Sequence, residues 1–203
     1  MEENVFYRIF LIVYFLIYML VLYVFNIKSF KRKYNFDPRV VTKKDTIMYR
    51  LQVYRNAIFF CLLLNILTYS FFPKFYYLFV PISYLSIKYL KFVGVLILMV
   101  SLFLTRMSQI QLKQAWRIGI DATEEKGTLI TNGIYSVSRN PIALGMFLST
   151  IGLFLVTPNM VTFTIVILVH LIFSIRIFLE EAHLKKLHGD EYERYRSQTR
   201  KWL

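Results

Sequence analysis

From Asn140 to Ile175 the chain runs 36 residues without an acidic or basic charge. That is nearly enough for two membrane crossings, because one helix needs about 20 apolar residues to cross the hydrocarbon core. Thr157-Pro158-Asn159 divides the run, and Pro and Asn are turn formers. The expected result is a tight hairpin, one helix over Pro141–Val156 and a second from Met160 to about Leu187. The first is only about 24 Å long at 1.5 Å per residue, short for a bilayer. Such a hairpin returns two polar clusters to one side: Arg139, Asn140 and Pro141 where the run begins, and Arg176, Glu180 and Glu181 where it ends.

Composition agrees with a membrane chain. Over 203 residues the mean hydropathy is +0.49 and 57% of residues are hydrophobic, high for a soluble domain. The formal charge of +13 in a soluble protein would suggest nucleic acid, but no nucleic-acid motif accompanies it. Lys and Arg collect instead in loops, as they do on the cytoplasmic face of membrane proteins. Cys61 is the one cysteine, which excludes an intrachain disulfide and a Cys-based zinc site. The amino terminus, Met-Glu-Glu-Asn, lacks the basic segment of a secretory signal, so the first span is expected to stay in the mature protein.

Further spans are expected at Ile9 to Ile27, at Asn56 to Pro73 and at about Tyr89 to Thr105. Lys88 and Lys91 should snorkel to the outer interface. Residues 75–105 fit either one long tilted helix or an interfacial piece followed by a short span. The fold class is therefore all-α, a polytopic membrane protein of about five transmembrane helices with a C-terminal helical hairpin and a cytoplasmic C-terminal helix. The basic loop 28–55 is expected to be cytoplasmic and the amino terminus outside, in a bacterial inner membrane or, in a eukaryote, the endoplasmic reticulum. Residues 1–105 form the N-terminal spans in this reading. Residues 106–203 divide into a connector (106–140), the hairpin (141–187) and, after Gly189, a tail helix (190–203).

Pro141 suits the first turn of a helix because it lacks an N–H that would be orphaned there. The helix start presents backbone N–H groups to an anion, and Arg139 can add a charge-assisted hydrogen bond. Lipid phosphate is the other natural partner for an interfacial arginine. Arg176 and Glu180, four apart, share a helix face; they are either a functional pair at membrane depth or a surface ion pair of little weight. Glu180-x-x-His183 has the spacing of a di-iron helix, but no second copy exists, so no metal is expected. His170 is a lone polar residue in its span.

These residues resemble the isoprenylcysteine carboxyl methyltransferase and phospholipid methyltransferase group of integral membrane enzymes. The resemblance rests on Gly133-x-Tyr135-x-x-x-Arg139-Asn140-Pro141-x-x-Leu144-Gly145, on Glu180-Glu181-x-x-Leu184, on Gly189-x-x-Tyr192-x-x-Tyr195-Arg196 and on Trp202-Leu203, with Trp116-Arg117-Ile118-Gly119 similar to bacterial relatives. It implies methylation with S-adenosylmethionine as cofactor, bound at the cytoplasmic face. Gly133, Tyr135, Arg139, Asn140, Pro141, Leu144 and Gly145 would line the cofactor pocket, and Glu181, Tyr192 and Tyr195 would close it. Arg176 and Glu180 would be catalytic, orienting a lipophilic acceptor such as a prenylcysteine carboxylate or a phospholipid amine. Ala143 stands where many relatives carry tyrosine, Asn140 where histidine is common, and Arg200 where proline is usual.

The expected partners are membrane lipids and that acceptor, without nucleic acid or metal. Membrane sterol reductases share this C-terminal architecture and use a nicotinamide cofactor instead, and a non-catalytic membrane scaffold is the third reading.

Overall fold

The computed structural model describes residues 2–20, 26–35, 37–39, 46–116 and 128–202. Helices account for the architecture, and no β-strand occurs among the described residues. Among the described residues three helices are long and apolar enough to cross a membrane: α3 (Ile47–Phe71), α5 (Lys88–Leu112) and α7 (Met160–His188). Two shorter apolar helices, α1 (Glu2–Met19) and α6 (Pro141–Val156), pack among them, and α2 (Asn26–Tyr34), α4 (Pro73–Tyr76) and α8 (Asp190–Gln198) are short polar or interfacial pieces. Phe60, Phe92, Phe103, Leu171 and Phe178 point outward, which suits a lipid-facing surface.

The hairpin α6–α7 begins at Pro141 and turns at Thr157-Pro158-Asn159. Asn159 caps α7 reciprocally: its side chain accepts from Thr162 N–H at 2.9 Å while Thr162 Oγ1 accepts from Asn159 N–H at 3.3 Å. α7 ends at Gly189, whose φ of +55° favours glycine. α8 covers 190–198 of the expected 190–203, and residues 199–202 run on as a strap.

Elsewhere the helices begin sooner than the charge pattern suggests. α1 starts at Glu2 rather than Ile9 and carries Arg8 within it; residues 21–25 of the expected first span lie outside the described residues, and Asn26–Tyr34 is a separate helix. α2 turns Phe30 against Trp116, ring centroids 5.5 Å apart, and leaves Arg32 and Lys33 exposed. α3 begins at Ile47, not Asn56, because Thr46 caps it by accepting from Tyr49 N–H at 3.3 Å, with Arg50 exposed at that end. Between α3 and α5 lies an interfacial piece, α4 followed by 3-10 turns at Tyr77–Phe79 and Ser83–Leu85. The crossing after it runs on past Thr105 to Leu112. Lys88 is exposed, but Lys91 does not snorkel outward: it is buried, with its ammonium 5.6 Å from the centre of the Tyr7 ring, where the aromatic face offsets part of the cost of burying charge.

α5 and α6 meet along a seam of small residues. An added Cβ on Gly152 would come within 2.8 Å of Leu98 Cγ and 2.9 Å of the Gly94 carbonyl, and one on Gly94 within 2.8 Å of the Gly152 carbonyl. Backbones in lipid associate by such close approach, because apolar side chains gain little by leaving lipid tails for one another. Tyr7, Leu11 and Tyr14 of α1, Ile66 of α3 and Leu98 of α5 pack with Leu153 and Val156 of α6, while Ile165, Val169, Phe173 and Ile177 form α7's own buried stripe.

Beyond the turn of the hairpin, Ile82 N–H bonds the Pro158 carbonyl at 2.9 Å and Met160 N–H the Val80 carbonyl at 3.2 Å. Asn65, from α3, donates to Thr157 Oγ1 at 2.9 Å and accepts from Asn159 Nδ2 at 2.7 Å. That network locks one end of the bundle. The other end is left to α8 and the connector.

Candidate active site

Residues 138–140, just before α6, lie alongside the C-terminal strap. Arg139 N–H donates to the Arg200 carbonyl at 3.0 Å, and Asn140 Nδ2 to the Lys201 carbonyl at 3.1 Å. Asn140 therefore precedes α6 without capping it through its side chain, which is occupied with the strap. Pro141, in the first turn, is buried.

The Arg139 guanidinium is 10% exposed and turned inward. Nε and Nη2 each lie 3.0 Å from Glu181 Oε1, and Nη1 donates to the Arg196 carbonyl at 3.1 Å and to the Thr199 carbonyl. Glu181 is itself only 16% exposed. One arginine thus ties the start of α6 to α7 and to the last carbonyls of α8, where a positive charge also complements the helix dipole. The guanidinium's donors go to protein rather than to an open anion site.

Gly133 opens a 3-10 turn (Gly133–Ser136) with φ +57°. A Cβ there would lie 2.7 Å from Gln111 Oε1. Gln111, at the end of α5, clamps this turn by donating to the Asn132 carbonyl at 2.5 Å and accepting from Ile134 N–H at 3.0 Å. The turn presents Tyr135, whose hydroxyl donates to the Ser108 carbonyl at 3.4 Å and whose carbonyl accepts from Tyr195 OH at 2.6 Å. α5, the turn and α8 are thereby joined.

Tyr192 is 1% exposed, and its hydroxyl has no hydrogen-bond partner. Burial pushes that hydroxyl well above the usual tyrosine range, with the Glu181 carboxylate adding to the shift and Arg139 and Arg196 opposing it. Burial likewise pushes Tyr195 up to about 12 against the pull of Arg139, and raises Tyr135 further, with Glu180 and Tyr195 contributing. Glu180 is therefore close enough to Tyr135 to act on it. Its partner Arg176 stands 3.8 Å away, Nε to Oε2, in a loose pair whose side chains are 24% and 43% exposed. Unlike Arg139 and Glu181, this pair has capacity left for another group.

Two more of the expected pocket residues lie within α6. Leu144 is buried, and Gly145 faces Thr105 inside the α5–α6 seam, where an added Cβ would lie 3.1 Å from the Ser101 carbonyl oxygen. Nothing in the sequence marks Gln111 or Ser108, since their roles depend on where α5 ends. Trp202 carries no contact that its motif foretells; its ring lies beside His170 and Phe147, centroids 6.2 and 6.3 Å away. His170 is thus one wall of an aromatic stack. Arg117, Ile118, Gly119 and Leu203 of the sequence motifs lie outside the described residues. Among the described residues no group of three or more His, Cys, Asp or Glu side chains could hold a metal ion.

The family model for phospholipid methyltransferases matches residues 89–191, just over half of the chain, from the start of α5 to the start of α8. A curated protein-S-isoprenylcysteine O-methyltransferase from Schizosaccharomyces pombe is 38% identical over 72 residues, which is 35% of this chain and 30% of that relative's length. The matched family region contains the small-residue seam, the hairpin and the Arg139–Glu181 clamp, while Tyr192, Tyr195 and Trp202 lie just beyond it. By this match the chain belongs to the phospholipid methyltransferase family.

Proposed function

We propose that the protein is a membrane methyltransferase that uses S-adenosylmethionine to methylate a lipophilic acceptor, of the prenylcysteine carboxylate or phospholipid amine type. The observation that carries this reading is the buried Tyr192 hydroxyl without a partner, next to the Arg139–Glu181 clamp and at the same end of the bundle as the open Arg176–Glu180 pair. A buried orphan hydroxyl costs about 1–3 kcal/mol, a cost that a bound polar ligand would remove. Carboxylates and neutral tyrosines suit a cationic cofactor bearing an ammonium group.

S-adenosylmethionine, when bound, supplies an electrophilic methyl group on a positively charged sulfur. Tyr192, Tyr135 and the backbone around Gly133 and Asn140 would hold it, with Glu181 supplying negative charge nearby. Arg139 acts as a positioning residue that fixes α8 over the site. Glu180 and Arg176 orient the acceptor: a carboxylate through the guanidinium, an amine through Glu180. The tyrosines and α8 exclude water, and the acceptor's apolar chains stay in the lipid. Holding donor and acceptor together in this way accounts for a large part of such a rate enhancement.

In this reading residues 106–203 form the methyltransferase region and residues 1–105 its membrane scaffold. The site end faces the cytoplasm, because α2 with Lys28, Lys31, Arg32 and Lys33 stands at that end.

Calorimetric titration of the purified protein in detergent tests the cofactor assignment. Saturable S-adenosylmethionine binding is expected, weaker in Tyr192→Phe, with no binding of nicotinamide dinucleotides. Folded wild type that binds a nicotinamide cofactor and no S-adenosylmethionine would replace this reading with a reductase.

A further inference from the structure

At the end of the bundle opposite the Arg139 clamp, two buried donors face no acceptor. Arg8 Nε, on the second turn of α1, and the Tyr69 hydroxyl, in the last turn of α3, are both buried without a hydrogen-bond partner. The guanidinium lies close enough to Tyr69 to act on it electrostatically. The two helices are held together there by Ser70 Oγ, which donates to the Arg8 carbonyl at 3.4 Å, and the Tyr69 ring is fixed edge-on against Tyr76, centroids 5.2 Å apart.

Positive charge predominates at this end, with four cations against Glu2 and Glu3 in the first turn of α1. Arg8, Lys74, Lys88 and Lys91 stand there, the middle two exposed and Lys91 buried over the Tyr7 ring. These cations fall on the side away from the chain's main basic clusters, so loop charge bias does not explain them. A cation at membrane depth is costly and ordinarily faces a polar partner. The two free donors, N–H and O–H, both require an acceptor, and a positive surrounding selects one with negative charge.

We infer that Arg8 and Tyr69 form a binding site for the phosphate of an anionic phospholipid, between α1 and α3 and remote from the proposed catalytic site. The first turns of α1 and α5 and the last of α3 lie at headgroup level, which brings a lipid phosphate to these donors while its acyl chains lie along the exposed apolar faces of the two helices. Free phosphate has the same oxygens but gains nothing from those faces.

Native mass spectrometry of the delipidated full-length protein tests the site, with phosphatidylglycerol, diacylglycerol and inorganic phosphate as probes. Wild type should bind phosphatidylglycerol in preference to diacylglycerol and retain no inorganic phosphate. Arg8→Gln should weaken phosphatidylglycerol binding by roughly tenfold or more, the scale for removing a buried charged donor. Tyr69→Phe, which keeps the ring packing and removes only the hydroxyl, should weaken it several-fold; it remains informative if Arg8→Gln does not fold. Lys74→Gln, an exposed control, should leave the affinity within about twofold. Wild-type affinity in Tyr69→Phe together with any folded Arg8 variant would overturn the inference, and equal retention of inorganic phosphate would overturn its assignment to a lipid.

Discussion

At the end of the bundle that carries α8, Arg139 and Glu181 place opposite charges 3.0 Å apart, Tyr192 keeps an unused hydroxyl, and Arg176 and Glu180 stay half open. At the hairpin turn, Asn65, Thr157, Asn159 and Thr162 are neutral and bonded to one another, with Tyr76 accepting from Asn159 at 3.2 Å. Both are buried polar groups at the limits of the same two helices. The hairpin turn is saturated, so it stabilises one geometry and has nothing left to offer a ligand. The α8 end combines one saturated ion pair, which fixes the scaffold, with groups that a ligand could complete. Unused hydrogen-bonding capacity, rather than polarity as such, separates the two.

The largest effect on stability is expected from Arg139→Ala. It leaves Glu181 buried without its partner and uncaps α8, at a cost of about 3 kcal/mol or more. Thermal unfolding in detergent measures this, and adding Glu181→Gln should recover part of the loss. Asn159→Ala breaks the saturated network and should cost about 2–3 kcal/mol, yet leave S-adenosylmethionine affinity unchanged at temperatures where the variant stays folded. A changed affinity would show that the two ends are not independent.

Glu180→Gln should behave in the opposite way, with thermal stability within about 0.5 kcal/mol of wild type, as expected for an exposed pair. Its turnover should fall roughly a hundredfold through lost acceptor placement.

High pH should destabilise the α8 end, because three tyrosines there are held neutral by burial, and the opposite end through Tyr76, which burial also pushes up to about 12. An unfolded tyrosine releases its proton near pH 10, whereas Tyr195 keeps it to about 12. Between those values the unfolded chain binds fewer protons, so stability is full below pH 10 and falls as pH rises toward 12. The slope is at most about 1.4 kcal/mol per pH unit for each tyrosine. Tyr195→Phe should make the decline shallower. Tyr192→Phe should move stability the other way: removing an orphan hydroxyl, whose burial costs about 1–3 kcal/mol, should raise the melting temperature while weakening the cofactor several-fold.

Much of the hairpin is legible in the sequence because its boundaries are written in local chemistry. Pro141 can begin a helix but not continue one, and Asn159 with Thr162 makes a cap within four residues. The earlier helices are less legible because a charge in the sequence does not mark where a helix begins. Arg8 and Arg50 stand inside helices, since a long side chain near a helix end can reach a polar level while its backbone stays helical. The sequence puts Lys91 at the right end of its helix but not in its buried environment, because only the fold brings Tyr7 to it. At the site, the motifs group Arg139, Glu181, Tyr192 and Tyr195. Which of them bond one another is not legible, because the carbonyls that occupy Arg139 belong to a strap whose path no periodicity encodes. Gln111 gives no signal at all.

Whether this end of the bundle moves a methyl group onto lipid is tested most simply by transfer of a radiolabelled methyl from S-adenosylmethionine in proteoliposomes of a total membrane extract, with wild type and Glu180→Gln in parallel. Label should enter the lipid-soluble fraction for wild type and be largely lost for the variant at equal cofactor binding. Folded wild type that binds the cofactor but labels no lipid, or a Glu180→Gln protein that labels as well as wild type, would contradict the proposed chemistry.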